Sequence, residues 1–123
     1  MRRFLLFALL FSIAGFAFAE GSPHTTPGFD IMTSRQSGNC IACHEVPGVE
    51  GLVSNFGPSL KGVGRKWSAA ELRQWVKDAR QIQANTLMPP FGTLEGLNKA
   101  NPPRVILSDA QITQVVETLQ TWQ

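Results

Sequence analysis

Cys40-Ile41-Ala42-Cys43-His44 decides the reading of this chain. It holds both cysteines of the sequence, and a histidine follows the second directly. A C-x-x-C-H run is the attachment signature of c-type haem. The two thiols can add to the two vinyl groups on one edge of a haem, and the two intervening residues set the spread between the sulfurs. His44, on the same turn, is then in reach of the iron from one face. The expected cofactor is one haem c, held covalently by Cys40 and Cys43, with His44 as a metal ligand.

Other meanings of C-x-x-C fit these surroundings less well. A zinc site takes about four ligands of the Cys/His type. The chain has two cysteines and two histidines, and His24 lies in a stretch rich in Pro, Thr and Gly. A thioredoxin-like pair belongs in a βαβ context, and the flanks Arg35–Asn39 and Glu45–Gly48 carry no buried-strand pattern. A disulfide across so short a loop would add little chain-entropy stabilisation.

The N-terminus reads Met1-Arg2-Arg3, then an apolar run from Phe4 to Phe18, then Ala17-Phe18-Ala19 before polar residues. This is the pattern of a cleaved signal peptide over residues 1–19. The run falls short of the roughly 20 apolar residues of a membrane-spanning helix, so no membrane anchor is expected. The expected address is the periplasm, where thiols can be oxidised. Arg2 and Arg3 account for the formal net charge of +2. The mature polypeptide is therefore formally neutral, which gives no ground for nucleic-acid binding and leaves partner steering to local patches. What remains is about 100 residues, one small domain. Such a domain has an unfavourable surface-to-volume ratio, and a haem would serve it as core as well as cofactor.

Residues 20–28 read as a flexible tail and 29–123 as the folded domain. A short helix is expected from Phe29 to Gln36, with Met32 in the core and Gly38 as its stop signal. Glu45 to Gly64 is loop-like, punctuated by Pro47, Gly48, Gly51, Gly57, Pro58 and Gly62. Ser68 caps the next helix and Glu71 completes a capping box. Leu72, Trp75, Val76 and Ala79 form its apolar stripe. Gln81 to Leu107 is irregular, with Pro89-Pro90 and Pro102-Pro103 as breakers. Ser108 and Gln111 open the last helix, whose stripe is Ile112, Val115, Val116 and Leu119, extended by Trp122. No strand alternation appears. The expected fold class is all-α, three to five helices packed around one haem.

The iron face opposite His44 needs a ligand or stays open. Thioether plus histidine ligation raises the reduction potential. Met88 is the candidate, in Asn85-Thr86-Leu87-Met88-Pro89-Pro90-Phe91-Gly92. Pro89 biases Met88 toward an extended conformation, and two successive prolines stiffen the loop that presents the sulfur. The alternatives are a loop methionine that only packs on the haem edge and a bis-histidine site using His24. A metal-bound histidine usually donates its second ring N–H to a carbonyl or carboxylate. The Pro58 carbonyl in Gly57-Pro58-Ser59-Leu60 is the candidate acceptor and Leu60 the candidate to cover the ring, against a plain turn. Arg65 and the indole N–H of Trp67 are candidates to bond a haem propionate, against a plain surface or core role for each.

In this order of motifs the chain resembles the class I cytochromes c: Cys-x-x-Cys-His, Gly-Pro-x-Leu, a Met-Pro loop and a C-terminal amphipathic helix. The resemblance implies His44 as proximal ligand, Met88 as distal ligand and Pro58 as the carbonyl partner of His44. The first and last helices of that family usually cross at a small residue, for which Gly28 is the nearest candidate. Within the class, the chain is similar to the SoxX family, the monohaem subunits of SoxAX sulfur-oxidation complexes. The stretches that carry this are Gly38–His44, Gly57–Gly64, Met88–Gly92 and Ile106–Ile112. That likeness implies a heterodimer with a SoxA-like c-type cytochrome. It also implies oxidative coupling of thiosulfate to a cysteine of the SoxYZ carrier (L-cysteine S-thiosulfotransferase chemistry). Catalysis would lie on the partner, and this subunit, not catalytic alone, would pass electrons to a downstream acceptor such as another cytochrome c. Two other functions remain open at this point: a free-standing periplasmic electron carrier, and a small haem enzyme with an exchangeable distal site.

Overall fold

The computed structural model describes residues 26–95 and 102–123. The leader, residues 20–25 of the tail with His24, and residues 96–101 lie outside them. Four α-helices follow in order: α1 (Pro27–Thr33), α2 (Val63–Lys66), α3 (Ala69–Asp78) and α4 (Asp109–Thr121). Two single 3-10 turns, Cys40–Ala42 and Ala79–Gln81, complete the set. Among the described residues there is no strand, and the all-α expectation holds.

α4 is the spine, because α1, α2 and α3 all pack on it. Its buried residues are Ile112, Val115, Val116, Thr118 and Leu119, and Trp122 just beyond is buried too. Both capping boxes form as read. Ser68 accepts from the Glu71 amide and Ser108 from the Gln111 amide, and each partner side chain returns to the cap backbone. On α3, Leu72, Val76 and the following Ala79 are buried against α4. Trp75 departs from its expected place in the core stripe: it is only half-buried and stands edge-on to Trp67, ring centroids 5.9 Å apart. Outside the core, Arg73 ties α3 to α4 by donating to Asp109 and Thr113, each at 2.9 Å.

α1 begins earlier than expected. Thr26 is its N-cap and Pro27 stands in its first turn, a place where a missing N–H costs nothing. The helix ends at Thr33 rather than Gln36, because polar side chains then compete for the backbone. The Ser37 hydroxyl donates to the Ile31 carbonyl, and the Gln36 amide donates to Ser34 Oγ at 3.3 Å. Gly38 therefore acts past the helix, its amide returning to the Ile31 carbonyl at 2.9 Å. Met32 is 1% exposed, as a core residue should be.

Two glycines set how closely the helices approach α4. A Cβ on Gly28 would stand 2.1 Å from the Gln114 carbonyl oxygen and 2.3 Å from Thr118 Oγ1. Beside it, the hydroxyls of Thr26 and Thr118 are hydrogen-bonded at 2.7 Å. Gly28 is thus the small residue at the first-to-last helix crossing. Gly64 plays the same part on α2, where a Cβ would lie 2.7 Å from the Gln120 carbonyl oxygen. Its amide donates to the Trp122 carbonyl at 2.9 Å. The sequence reads as loop through Gly64, and a one-turn helix without an apolar period gives no signal to say otherwise.

Replacing Gly28 by valine forces α1 away from α4. The expected loss is about 1–3 kcal/mol of stability, measured as a lower urea midpoint, with Gly28→Ala losing less. An unchanged midpoint for both variants would show that the crossing is loosely packed.

Candidate functional site

The motif coils tightly. Asn39 sits in the left-handed region at φ 47°, a conformation that asparagine tolerates better than most residues. One 3-10 turn follows, and the His44 amide donates to the Cys40 carbonyl at 2.9 Å. Cys40, Cys43 and His44 thereby share one turn of chain. Both cysteines are free thiols. Burial pushes the Cys40 thiol up to about 12. Redox and metal-ligating cysteines need the opposite, a stabilised thiolate. An uncharged thioether sulfur suits this apolar setting. Among the described residues no group of three or more His, Cys, Asp or Glu is placed to hold a metal ion.

The loop 57–60 lies along the motif. The Gly57 amide donates to the Cys43 carbonyl at 2.6 Å, and the Leu60 amide to the Glu45 carbonyl at 2.9 Å. Between them His44 Nδ1 meets the Pro58 carbonyl oxygen at 2.7 Å. A carbonyl only accepts, so Nδ1 carries the proton and Nε2 keeps its lone pair for a metal. A Cβ on Gly57 would stand 2.6 Å from His44 Cε1 and 2.8 Å from Nδ1. The ring is therefore laid flat against the backbone of residue 57, where only glycine leaves room.

Met88 arrives from the other side of the chain. Its amide donates to Thr86 Oγ1 at 3.2 Å. The loop is pinned just beyond the two prolines. The Gly92 amide donates to the Lys77 carbonyl at 3.0 Å, and the Phe91 carbonyl accepts from the Leu107 amide at 2.8 Å. Phe91 is buried. A Cβ on Gly92 would meet Ile112 Cδ1 at 2.6 Å, so the loop is wedged between α3 and α4. At the end of α3 the Asp78 carboxylate accepts from both Arg80 Nε at 2.7 Å and Arg80 Nη2 at 2.8 Å.

Cys40, Leu60, Trp67 and Met88 all pack partly buried against the same core cluster, with Val46, Leu107 and Ile112 at its heart. The structure thus gathers these sequence candidates on one core, with His44 and Pro58 beside Cys40. Arg65 is exposed at the end of α2, and no hydrogen bond ties it to the other candidates among the described residues. Trp67 lies under the Lys66 ammonium, 5.4 Å from its ring centroid. The indoles with buried, unpartnered N–H groups are those of Trp75 and Trp122. Sequence reasoning placed both in the core and assigned the polar role to Trp67, because helical spacing does not reveal where an indole nitrogen ends up. Glu45, which clasps Ser59 and Lys61, was also missed, since its partners are distant in sequence.

The donor set fits a c-type haem on three observations. Cys40, Cys43 and His44 share one turn, His44 Nδ1 is engaged by the Pro58 carbonyl so that Nε2 keeps its lone pair, and Gly57 lies against the ring. In such a site Cys40 and Cys43 would hold the porphyrin edge, with His44 and Met88 as candidate iron ligands. The family model described as cytochrome C oxidase, cbb3-type, subunit III matches residues 25–101. That span runs from the cap of α1 past the Met88 loop. A chain of the crystal structure of SoxXA from P. pantotrophus matches with a TM-score of 0.71 and 32% identity, covering 78% of this chain and 79% of that one. No curated protein sequence matches. No helix of the described residues is long and apolar enough to cross a membrane.

Arg80 first, then the Arg80 amide, hold the Asp78 carboxyl down to about 2. In an unfolded chain it would titrate near roughly 3.9. The unfolded state binds more protons between those values, so this contribution is complete above the higher value and is lost as pH falls through about 2. Asp78→Asn is expected to lower the urea midpoint at neutral pH and to flatten the fall in stability between about pH 4 and about pH 2. Identical acid limbs for the two proteins would contradict this role for Asp78.

Proposed function

Because the chain belongs to the cytochrome c family that this match defines, in a SoxX-like class I form, we propose that it is the electron-transfer subunit of a SoxAX-type complex in thiosulfate oxidation. The observation that carries this reading is the Cys40–His44 turn braced by Pro58, on a fold 32% identical to a chain of SoxXA over most of its length.

When bound, haem c supplies a one-electron iron couple. The residues of the chain do the rest. Cys40 and Cys43 would fasten the ring edge covalently. His44 would offer iron its Nε2 lone pair, while its Nδ1–H donates to Pro58 and increases the donor strength of the ring. Met88 would offer its thioether as the second iron ligand, carried by a loop whose prolines reduce the ordering entropy lost on binding. Leu60 is assigned to cover the histidine, and Arg65 and Trp67 to bond a propionate. With both ligands supplied by the chain, the group would move electrons rather than bind substrate.

The signal peptide and its cleavage would place the protein in the periplasm, where the cysteines meet haem after export. Once both thiols are consumed, the chain has no cysteine left for sulfur transfer. Coupling of thiosulfate to a SoxYZ cysteine therefore belongs to the SoxA-like partner, and electrons leave through this subunit to a downstream acceptor such as another cytochrome c.

Two measurements test the reading. Met88→Ala is expected to remove the sulfur–iron charge-transfer band of the ferric protein and to lower its potential; an unchanged spectrum would assign the ligand elsewhere. Coexpression with a SoxA-like cytochrome is expected to give a one-to-one complex with thiosulfate-dependent activity in the presence of SoxYZ. A chain that remains monomeric and confers no such activity would be a free-standing carrier instead.

A further inference from the structure

The wrap of residues 57–61 on residues 43–45 has an outer layer that haem binding does not require. Glu45, the residue after His44, forms an ion pair with Lys61. The Ser59 hydroxyl also hydrogen-bonds the Glu45 carboxylate. The Glu45 carbonyl also accepts from the Leu60 amide, and the Lys61 amide donates to Ser59 Oγ at 3.2 Å. Pro58 thus lies between two fastenings, the Gly57–Cys43 hydrogen bond on one side and the Glu45 contacts on the other. Pro58 has no N–H with which to fasten itself. The position of its carbonyl oxygen is set by its neighbours.

We propose that the Glu45–Lys61–Ser59 clasp is a positioning element that holds the Pro58 carbonyl on His44 Nδ1 and so lowers the reduction potential of the iron that His44 would bind. The inference rests on the haem reading above and adds residues to it. The Nδ1–H to carbonyl bond makes the imidazole a stronger donor, which favours the ferric state. When the clasp is opened, the loop relaxes, the bond lengthens and the potential rises.

An exposed ion pair ordinarily contributes little to stability, so melting temperature is a poor readout. The sign of the potential shift is the useful one. Loss of the Lys61 charge alone removes a positive charge that opposes the oxidised state, which lowers the potential by simple electrostatics. Loss of positioning raises it.

The experiment is a redox titration of the haem-loaded chain with Lys61→Ala, the charge-neutral pair Glu45→Gln/Lys61→Gln, and Lys61→Arg. The hyperfine-shifted His44 ring resonances are recorded alongside. The Asp109→Asn variant serves as a control, since it breaks an exposed ion pair between α3 and α4 away from the motif. The expected result is an upward shift for Lys61→Ala and for the double variant, with displaced His44 resonances. Lys61→Arg is expected to restore both readouts, and the control to leave the His44 resonances in place. A downward or absent shift in Lys61→Ala, or unmoved His44 resonances in the double variant, would overturn the proposal while leaving the haem reading intact. A wild-type chain that takes up no covalent haem would overturn both.

Discussion

One hydrogen bond organises the site: His44 Nδ1 against the Pro58 carbonyl at 2.7 Å. It fixes which ring nitrogen carries the proton, and therefore which one is left for a metal. It also joins a motif that coils on itself to a loop that has no secondary structure of its own. The Gly57 amide on Cys43 and the Leu60 amide on Glu45 extend that junction in both directions. Glycine at 57 is required because the ring lies where a side chain would be.

The helices provide the frame that this junction needs. α4 holds α1 through the Gly28 crossing and α2 through Gly64, so both ends of the motif region are tied to one rigid element. α1 leads into the motif through the Ser34–Gly38 turn, and α2 leaves the Pro58 loop through Gly62, which is left-handed at φ 68°. On the far side, α3 and α4 clamp the Met88 loop at Phe91 and Gly92. The same four elements therefore place the histidine and the methionine from opposite ends of the chain. No helix is long: α1 has 7 residues and α4 has 13, lengths at which tertiary packing rather than intrinsic propensity sustains the helix.

Features with a local cause were legible in the sequence. The capping boxes at Ser68 and Ser108 and the apolar stripe of α4 depend on neighbours within a turn or two. The C-x-x-C-H run carries its chemistry in five residues, and the Pro58 carbonyl could be named because proline offers only an acceptor. Features with a distant cause were not legible. The single turn of α2 depends on Gly64 meeting the last turn of α4; the early end of α1 has a local cause, the Ser37 hydroxyl on the Ile31 carbonyl, which a run of polar residues does not single out. The Glu45–Lys61 pair joins the two ends of one long loop. Trp75 could be read as apolar from its spacing, but its buried N–H without a partner among the described residues depends on tertiary packing that spacing does not encode.

The central claim is that Cys40 and Cys43 fasten a haem to a chain whose other parts hold it for electron transfer. Intact mass measured under denaturing conditions on protein exported to a bacterial periplasm tests it most directly. The account predicts a chain lacking residues 1–19 and heavier by one haem, with that increment absent from the Cys40→Ser/Cys43→Ser double variant. A wild-type mass equal to the polypeptide alone, or an increment that survives in the double variant, would contradict it.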